Sequence, residues 1–387
     1  MGADVLIDLT PLDTASRFTG TGCYIYELAH ALAALSDHER EGLSFSGLVD
    51  LEGSHAEGPL GYEPGARQHD ADGEIAWLNR RRRVLPFTLR HLKPRLFHAP
   101  YHMGTPRLSG IPRVVTCLDL LKHVLYADYF AGRPYYRRLL FATDWLRFRS
   151  AKRVQAISEY TANDLMRLCN VPANRIDIVY MGVDLRRFHP FAGEEAARAD
   201  QIRARYGVKY GQYLYYLGTA DPRKNVDILI AGYAKSGVEL PLLLLGRMRP
   251  SDMACIDAAL ERANHPTGVK LTGLVPDADL PALVEGALGL VFCPSYEGFG
   301  IPPVEAMAAG CPVIHTGLTA MTETMGDAGL VIEERNIEAT ASAIRSLVND
   351  ASLRSQLRAA GLVRVQRFTW QNTALASVQS YAKALRG

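Results

Sequence analysis

No apolar run in the 387 residues approaches the roughly 18 that a membrane-spanning helix needs. The N-terminus, MGADVLIDLT, enters an apolar strand directly, without the basic region and apolar core of a signal peptide. Gly2 is followed by Leu6 where myristoylation needs Ser or Thr, so the expected compartment is the cytoplasm. The six cysteines (Cys23, Cys117, Cys169, Cys255, Cys293, Cys311) contain no CxxC pair, which argues against a zinc site or disulfide framework and for small apolar side chains. The P-loop pattern G-x-x-x-x-G-K-[ST] is missing, and Gly20-Thr21-Gly22 lacks the third glycine of G-x-G-x-x-G because Ile25 occupies its place. Two Asp-Ala-Asp triplets, Asp70–Asp72 and Asp277–Asp279, resemble a metal-binding D-x-D, but one sits in a polar loop and the other opens a helix, so capping accounts for both. His98 and His102 have metal-ligand spacing, yet Pro100 between them keeps them off a shared helix face. No metal is expected.

What is present is a soluble composition, 48% hydrophobic and 22% charged, at a length that suits two domains. Apolar runs that end in turn residues predict strands at Val5–Leu9, Ser44–Val49, Leu96–Ala99, Arg113–Leu118, Tyr213–Gly218, Leu242–Gly246, Val269–Gly273, Leu288–Cys293 and Val313–Thr316. Helical patterns lie between them, which is the signature of an α/β fold. The net charge of +2 hides an asymmetry: Arg80 to Arg153 holds 17 Lys and Arg against 3 acids, and the rest of the chain holds 26 against 38. A basic N-terminal half suits a phosphate-bearing substrate or an anionic lipid surface, and equally a solvated arginine-rich face. Arg133–Ser150 mixes arginines with aromatics at helical spacing and carries the same two readings, membrane face or packed helix. A nucleic-acid role is not supported, since no reader motif interleaves aromatics with the basic residues.

The chain is organised around SYEGFGIPPVEAMAAGCP, Ser295–Pro312. A buried strand feeds a small-residue turn, Pro302 and Pro303 suit the first turn of a helix, and Gly310 suits its end. Such a turn aims backbone N–H groups at one point, where a phosphate binds well. Glu297 in the turn and Glu305, expected in the first helical turn, bracket it eight positions apart. Upstream, Thr219-Ala220-Asp221-Pro222-Arg223-Lys224-Asn225 follows a parallel strand, where ligands of open α/β sheets bind. Arg223 can clamp phosphate oxygens in a fork while Lys224 acts as a point charge.

The stretch EGFGIPPVEAMAAGCPV resembles the E-x7-E signature of retaining glycosyltransferase family 4, of the group 1 glycosyl transferases. G-T-x-x-P-R-K-N resembles that family's diphosphate loop, and Met321–Met325, with Glu323, its short acidic segment. VQAISEYTANDLMRLCNVPANRIDIVYMGVDLRRFHP is similar to the strand, Ser-led helix and Gly-Val-Asp turn that close the first domain, with Ser158 as helix cap. The resemblance implies the GT-B fold, two Rossmann-like domains facing a central cleft. Its expected parts are an N-terminal acceptor-side domain over 1–190, a linker over 191–211, a nucleotide-sugar domain over 212–366 and a helix over 367–387 crossing back. It implies Glu297, Arg223 and Lys224 as catalytic residues, with Asp119 as an acceptor contact. It implies donor binding by Gly20, Gly22, Gly218, Thr219, Gly273, Val275, Gly298, Phe299, Gly300, Ile301 and Glu305. RLFHAPYHMGTP resembles the segment lining the acceptor side.

The implied reaction moves a sugar from a nucleoside diphosphate, with no cofactor and no metal, to a saccharide or lipid-linked saccharide in surface polysaccharide or lipopolysaccharide assembly. The expected partners are therefore a nucleotide sugar and that acceptor, at the inner face of the cell membrane. Leu118 departs from the pattern, since relatives carry His before this Asp to contact the donor sugar near O6. An apolar residue there suits a donor without a 6-hydroxyl, such as a 6-deoxyhexose or a pentose, and equally a shifted register or weakened activity. Over the whole chain the expected donor is of GDP-mannose or 6-deoxyhexose type. A GT-B epimerase and a non-catalytic nucleotide-binding homologue stay open beside the transferase.

Overall fold

The computed structural model describes residues 3–13, 19–49, 55–56, 71–103, 105, 110–124 and 144–386. The chain divides into one unit of Met1–Gly182 with Trp370–Gly387 and a second of Val183–Thr369. The divisions fall at 182/183 and 369/370, where 190 and 366 were expected.

In unit 1, β1 (Val5–Asp8), β2 (Phe45–Leu48), β4 (Leu96–Ala99), β5 (Arg113–Cys117), β6 (Arg153–Ala156) and β7 (Ile176–Ile178) are parallel, and β3 (His55–Ala56) pairs antiparallel at the β2 edge. The order is β3-β2-β1-β4-β5-β6-β7. The sequence marks β1, β2, β4 and β5 within a residue or two, since buried strands read as near-continuous apolar runs, whereas β3 and β7 were not among the expected strands. The helix Ala71–Leu92, which no expectation covered, contains Pro86, a residue that ordinarily argues against a helix interior. It buries Leu85 and Leu89 with Phe97, Val115 and Phe148. It also delivers Arg81 to a fully buried ion pair with Asp8 at the end of β1, where Arg81 Nη1 donates to Thr10 Oγ1 at 3.1 Å.

The last helix, Trp370–Arg386, packs into unit 1. Its Tyr381 hydroxyl lies 2.7 Å from His98 Nδ1, and His98 Nε2 lies 2.9 Å from Thr116 Oγ1, so β4 and β5 hold the helix through one buried chain of polar groups. His98 is thereby occupied, and burial lowers its imidazole to about 3. Most of the Arg133–Ser150 stretch lies outside the described residues, as does Asp70; its end is the helix Asp144–Arg149, with Trp145 partly exposed under Arg149. Ser158 caps the helix Glu159–Cys169, accepting the Thr161 N–H at 3.0 Å.

Unit 2 is a six-stranded parallel sheet in the order β10-β9-β8-β11-β12-β13. Its strands are β8 (Leu214–Leu217), β9 (Leu242–Leu245), β10 (Val269–Gly273), β11 (Gly289–Phe292), β12 (Val313–Thr316) and β13 (Leu330–Ile332). The expected linker is a helix of this unit, Gly193–Arg205. Its Arg203 is buried against Glu285 at 3.1 Å, and it donates to the Ala282 carbonyl at 2.8 Å. Among the described residues no helix is long and apolar enough to cross a membrane.

Candidate active site

The carboxyl ends of β8, β9 and β10 are stitched together by glycines. Gly218 N–H donates to the Leu245 carbonyl at 2.9 Å, and Gly246 N–H to the Gly273 carbonyl at 3.1 Å. Gly246 has φ 133°, and a Cβ there would lie 2.5 Å from the Gly218 oxygen, so the close approach requires glycine. Thr219 follows, its carbonyl accepting the Tyr216 hydroxyl at 2.6 Å. On the β10 side Gly273 has φ 70°, Leu274 is exposed and Val275 is buried.

Beyond Thr219 the chain forms a single turn of 3₁₀ helix, Pro222–Lys224. Asp221 starts it by accepting the Arg223 N–H at 3.2 Å. Asn225, at φ 51°, ends it and ties this loop to the one after β11, donating to the Cys293 carbonyl and the Ser295 hydroxyl, each at 2.9 Å. Ser295 N–H returns a bond to the Arg223 carbonyl at 2.8 Å. The sequence motif assigns no role to Asn225; its signal is its place at the end of the P-R-K-N run.

This stitching brings three charges together. Arg223 Nη1 lies 2.8 Å from Glu297 Oε1 and donates also to the Tyr296 carbonyl at 2.8 Å. Lys224 Nζ pairs with the same Glu297 oxygen and sits 4.7 Å above the Phe292 ring. Burial raises the Glu297 carboxyl, and Lys224 and Arg223 outweigh it, leaving it below the usual carboxylate range. Burial lowers Lys224, only partly opposed by Glu297. The Glu297 N–H donates to Thr319 Oγ1 at 3.1 Å.

The turn then passes through Gly298 and Phe299 to Gly300, whose φ of 92° starts the helix Ile301–Ala308. A Cβ on Gly300 would lie 2.6 Å from the Met321 sulfur. The Phe299 ring is buried edge-on against Phe368 at 5.4 Å, so its side chain is spent on packing. Gly310, at φ 72°, ends the helix as expected, with Gly310 N–H on the Met307 carbonyl and Cys311 N–H on the Ala306 carbonyl. Glu305 is not in the first turn. The helix begins at Ile301, so Glu305 is its fifth residue and does not complement the dipole as expected. It is half-buried, and among the described residues its carboxyl has no hydrogen-bond or ion-pair partner. Burial pushes it up to about 8, with Arg187 opposing and Asp277 adding.

The second Asp-Ala-Asp is also corrected: Asp279 precedes the helix Leu280–Glu285 without capping it, and instead pairs with Arg205 at 2.7 Å and accepts the Tyr206 hydroxyl at 2.8 Å. Three of the remaining candidates lie in unit 1. Gly20 and Gly22 open the helix Gly20–Ala34, and Asp119 follows β5 with Oδ1 accepting the Leu121 N–H at 3.1 Å.

Residues 199–363 match the family described as Glycosyl transferases group 1, and residues 18–187 match Glycosyltransferase Family 4. The chain is 31% identical over 236 residues to O-antigen chain mannosyltransferase B of Escherichia coli, a match covering 60% of this chain and 61% of that protein. It is 24% identical over 285 residues to the serotype-specific mannosyltransferase WbdA of Escherichia coli, covering 70% of this chain and 34% of the relative. The matches thus span about three fifths and about a third of these relatives. Among solved structures, sucrose-phosphate synthase from Thermosynechococcus elongatus superposes with TM-score 0.75 at 21% identity over 98% of both chains. The Anabaena protein HepE, in complex with UDP and glucose, superposes with TM-score 0.71 at 16% identity over 98% of this chain and 99% of its own. At these identities the likeness is one of fold.

Proposed function

This chain belongs to glycosyltransferase family 4, with the GT-B fold, and from that footing we propose that unit 2 binds a nucleoside-diphosphate sugar whose sugar the protein transfers, with retention, to a saccharide or lipid-linked saccharide. The observation that carries this reading is the convergence of Arg223 and Lys224 on Glu297 beside the glycine-stitched ends of β8, β9 and β10. An arriving diphosphate takes the two cations over from Glu297, and the freed carboxylate turns to the sugar hydroxyls. As the diphosphate leaves, negative charge grows on its oxygens, where Arg223, Lys224 and the amides at the start of the helix Ile301–Ala308 stabilise it. Glu297 favours the positive charge that develops on the sugar ring. The acceptor hydroxyl attacks from the face the leaving group departs and passes its proton to the departing diphosphate oxygen, which preserves the anomeric configuration. Glu305 accepts the ribose hydroxyls. Two fixed cations supply the charge neutralisation otherwise asked of a metal, so the reaction proceeds in EDTA.

The O-antigen relative favours mannose and a surface-polysaccharide setting, and the basic stretch Arg80–Arg153 suits an anionic inner membrane face. Leu118, half-buried after β5, favours a 6-deoxyhexose instead. Titration calorimetry with GDP, UDP, dTDP and ADP, each with EDTA and with magnesium, tests the reading. One nucleotide binds without metal. Replacing Arg223 and Lys224 with Ala in a Glu297→Gln background, which leaves no buried unpaired carboxylate, weakens that binding by about 100-fold or more relative to Glu297→Gln alone. Binding of none of the four overturns the reading.

A further inference from the structure

We propose that Thr319 is a positioning residue for Glu297, holding the turn that carries this carboxylate through a hydroxyl brought in at the expense of backbone strain. The inference deepens the donor-site reading of unit 2 and rests on it.

Thr319 precedes the short helix Ala320–Met325 with φ 54° and ψ −135°. That region is reached freely by glycine and is an outlier for a β-branched residue. Nothing in the helix itself calls for threonine. Its other end has nearly the same conformation, φ 52° and ψ −129°, and there the residue is Gly326. Gly300, in the loop that Met321 packs against, likewise holds its positive φ as glycine. Position 319 alone of these three carries a side chain against the backbone's preference.

Among the described residues that side chain makes one hydrogen bond. Thr319 Oγ1 accepts the Glu297 N–H at 3.1 Å, joining the loop after β12 to the loop after β11. The Glu297 carboxylate is already fixed by Arg223 and Lys224, so Thr319 fixes the other end of the same residue. The division matters once a diphosphate displaces Glu297 from the cations: the backbone anchor is then what keeps the carboxylate aimed at the sugar. A glycine at 319 would suit the fold better and leave that N–H unanchored. Strain retained beside a reacting group, where the unstrained residue is available, marks function.

Thr319→Gly, Thr319→Ser and Thr319→Val separate the roles. Thr319→Gly raises Tm by several degrees and leaves nucleoside-diphosphate affinity within about twofold, because Arg223, Lys224 and Glu305 are untouched. Its kcat for sugar transfer falls by about tenfold or more while the donor KM changes far less. Thr319→Ser keeps the oxygen and restores kcat to within about threefold of wild type. Thr319→Val keeps the branched shape, loses the oxygen, and falls with glycine in kcat without gaining Tm. Amide hydrogen exchange over Cys293–Ile301 rises in the Gly and Val variants and not in Ser. An unchanged kcat in Thr319→Gly, or a Ser variant as impaired as Gly, overturns the proposal. If the wild type binds no nucleotide sugar, the donor-site reading fails, and the exchange pattern alone still decides whether Thr319 anchors the Glu297 turn.

Discussion

Glu305 is a carboxylic acid that stays largely protonated at neutral pH, since burial lifts it to about 8 against the opposing pull of Arg187. Two ribose hydroxyls donating to it favour the ionised form. On the proposed reading, donor binding at pH 7 should therefore expel a proton from Glu305. A nucleotide sugar is the right titrant, because its diphosphate is esterified at both ends and does not itself titrate near neutrality. Its heat of binding should differ between phosphate and Tris buffers by the difference in their ionisation enthalpies times a proton count approaching about one. In Glu305→Gln the two heats should agree. Equal heats in the wild type would remove Glu305 from the ribose. The contrast with Glu297 is one of company: both carboxylates lie in the same turn-and-helix segment, but two adjoining cations hold Glu297 ionised, and Glu305 has none in contact.

Among the elements, the strand ends decide how closely the loops of unit 2 approach one another. Gly246 and Gly273 both have positive φ, but a Cβ on Gly246 meets the Gly218 oxygen at 2.5 Å, whereas a Cβ on Gly273 meets nothing within 4 Å. Gly273→Ala should cost about 1 kcal/mol, the strain of the dihedral alone, and Gly246→Ala about 3 kcal/mol or more, because the β8 and β9 ends must separate. Urea unfolding measures both, and equal losses would mean that the close approach is not maintained. Gly246 was legible in sequence as a glycine ending an apolar run, and so were most strands, because burial on both faces leaves an unbroken apolar signature. Other features were not legible, for physical reasons. Pro86 argues against the helix that contains it. The Asp279–Arg205 pair spans 74 positions, and no local pattern announces it. Thr319 sits in a glycine conformation, so the usual residue cue is missing at the place where it would have been most informative. Glu305 was placed one turn too early, because Pro302 and Pro303 mark the first turn without fixing which residue starts it.

At the scale of the whole molecule the two units should answer pH differently. Tyr381, His98 and Thr116 lock the last helix into unit 1 with His98 neutral. His98 is lowered to about 3 from an ordinary 6.5, so the unfolded chain takes up the proton more readily, and unit 1 loses stability as pH falls below 6.5. By pH 5 the loss is about 2 kcal/mol. Glu305 has the opposite sense: raised to about 8, it gives up its proton more readily when unfolded, so unit 2 loses stability as pH rises above 4.5 and stops losing it past about 8. Partial exposure tempers this to about 1 kcal/mol between pH 6.5 and 8. His315, buried in β12 and also lowered, gives unit 2 an acid-side loss of its own, which the Glu305 gain offsets as pH falls. Scanning calorimetry at pH 5, 6.5 and 8 should therefore show the unit 2 transition falling alone by a few degrees on the alkaline side. On the acid side, unit 1 should fall further than unit 2. Glu305→Gln should flatten the alkaline fall and His98→Gln the acid one, which assigns each transition to its unit. A single transition that moves as one in both directions would mean that the crossing helix, which leaves unit 2 at Thr369 and is locked by His98, makes the two units unfold together.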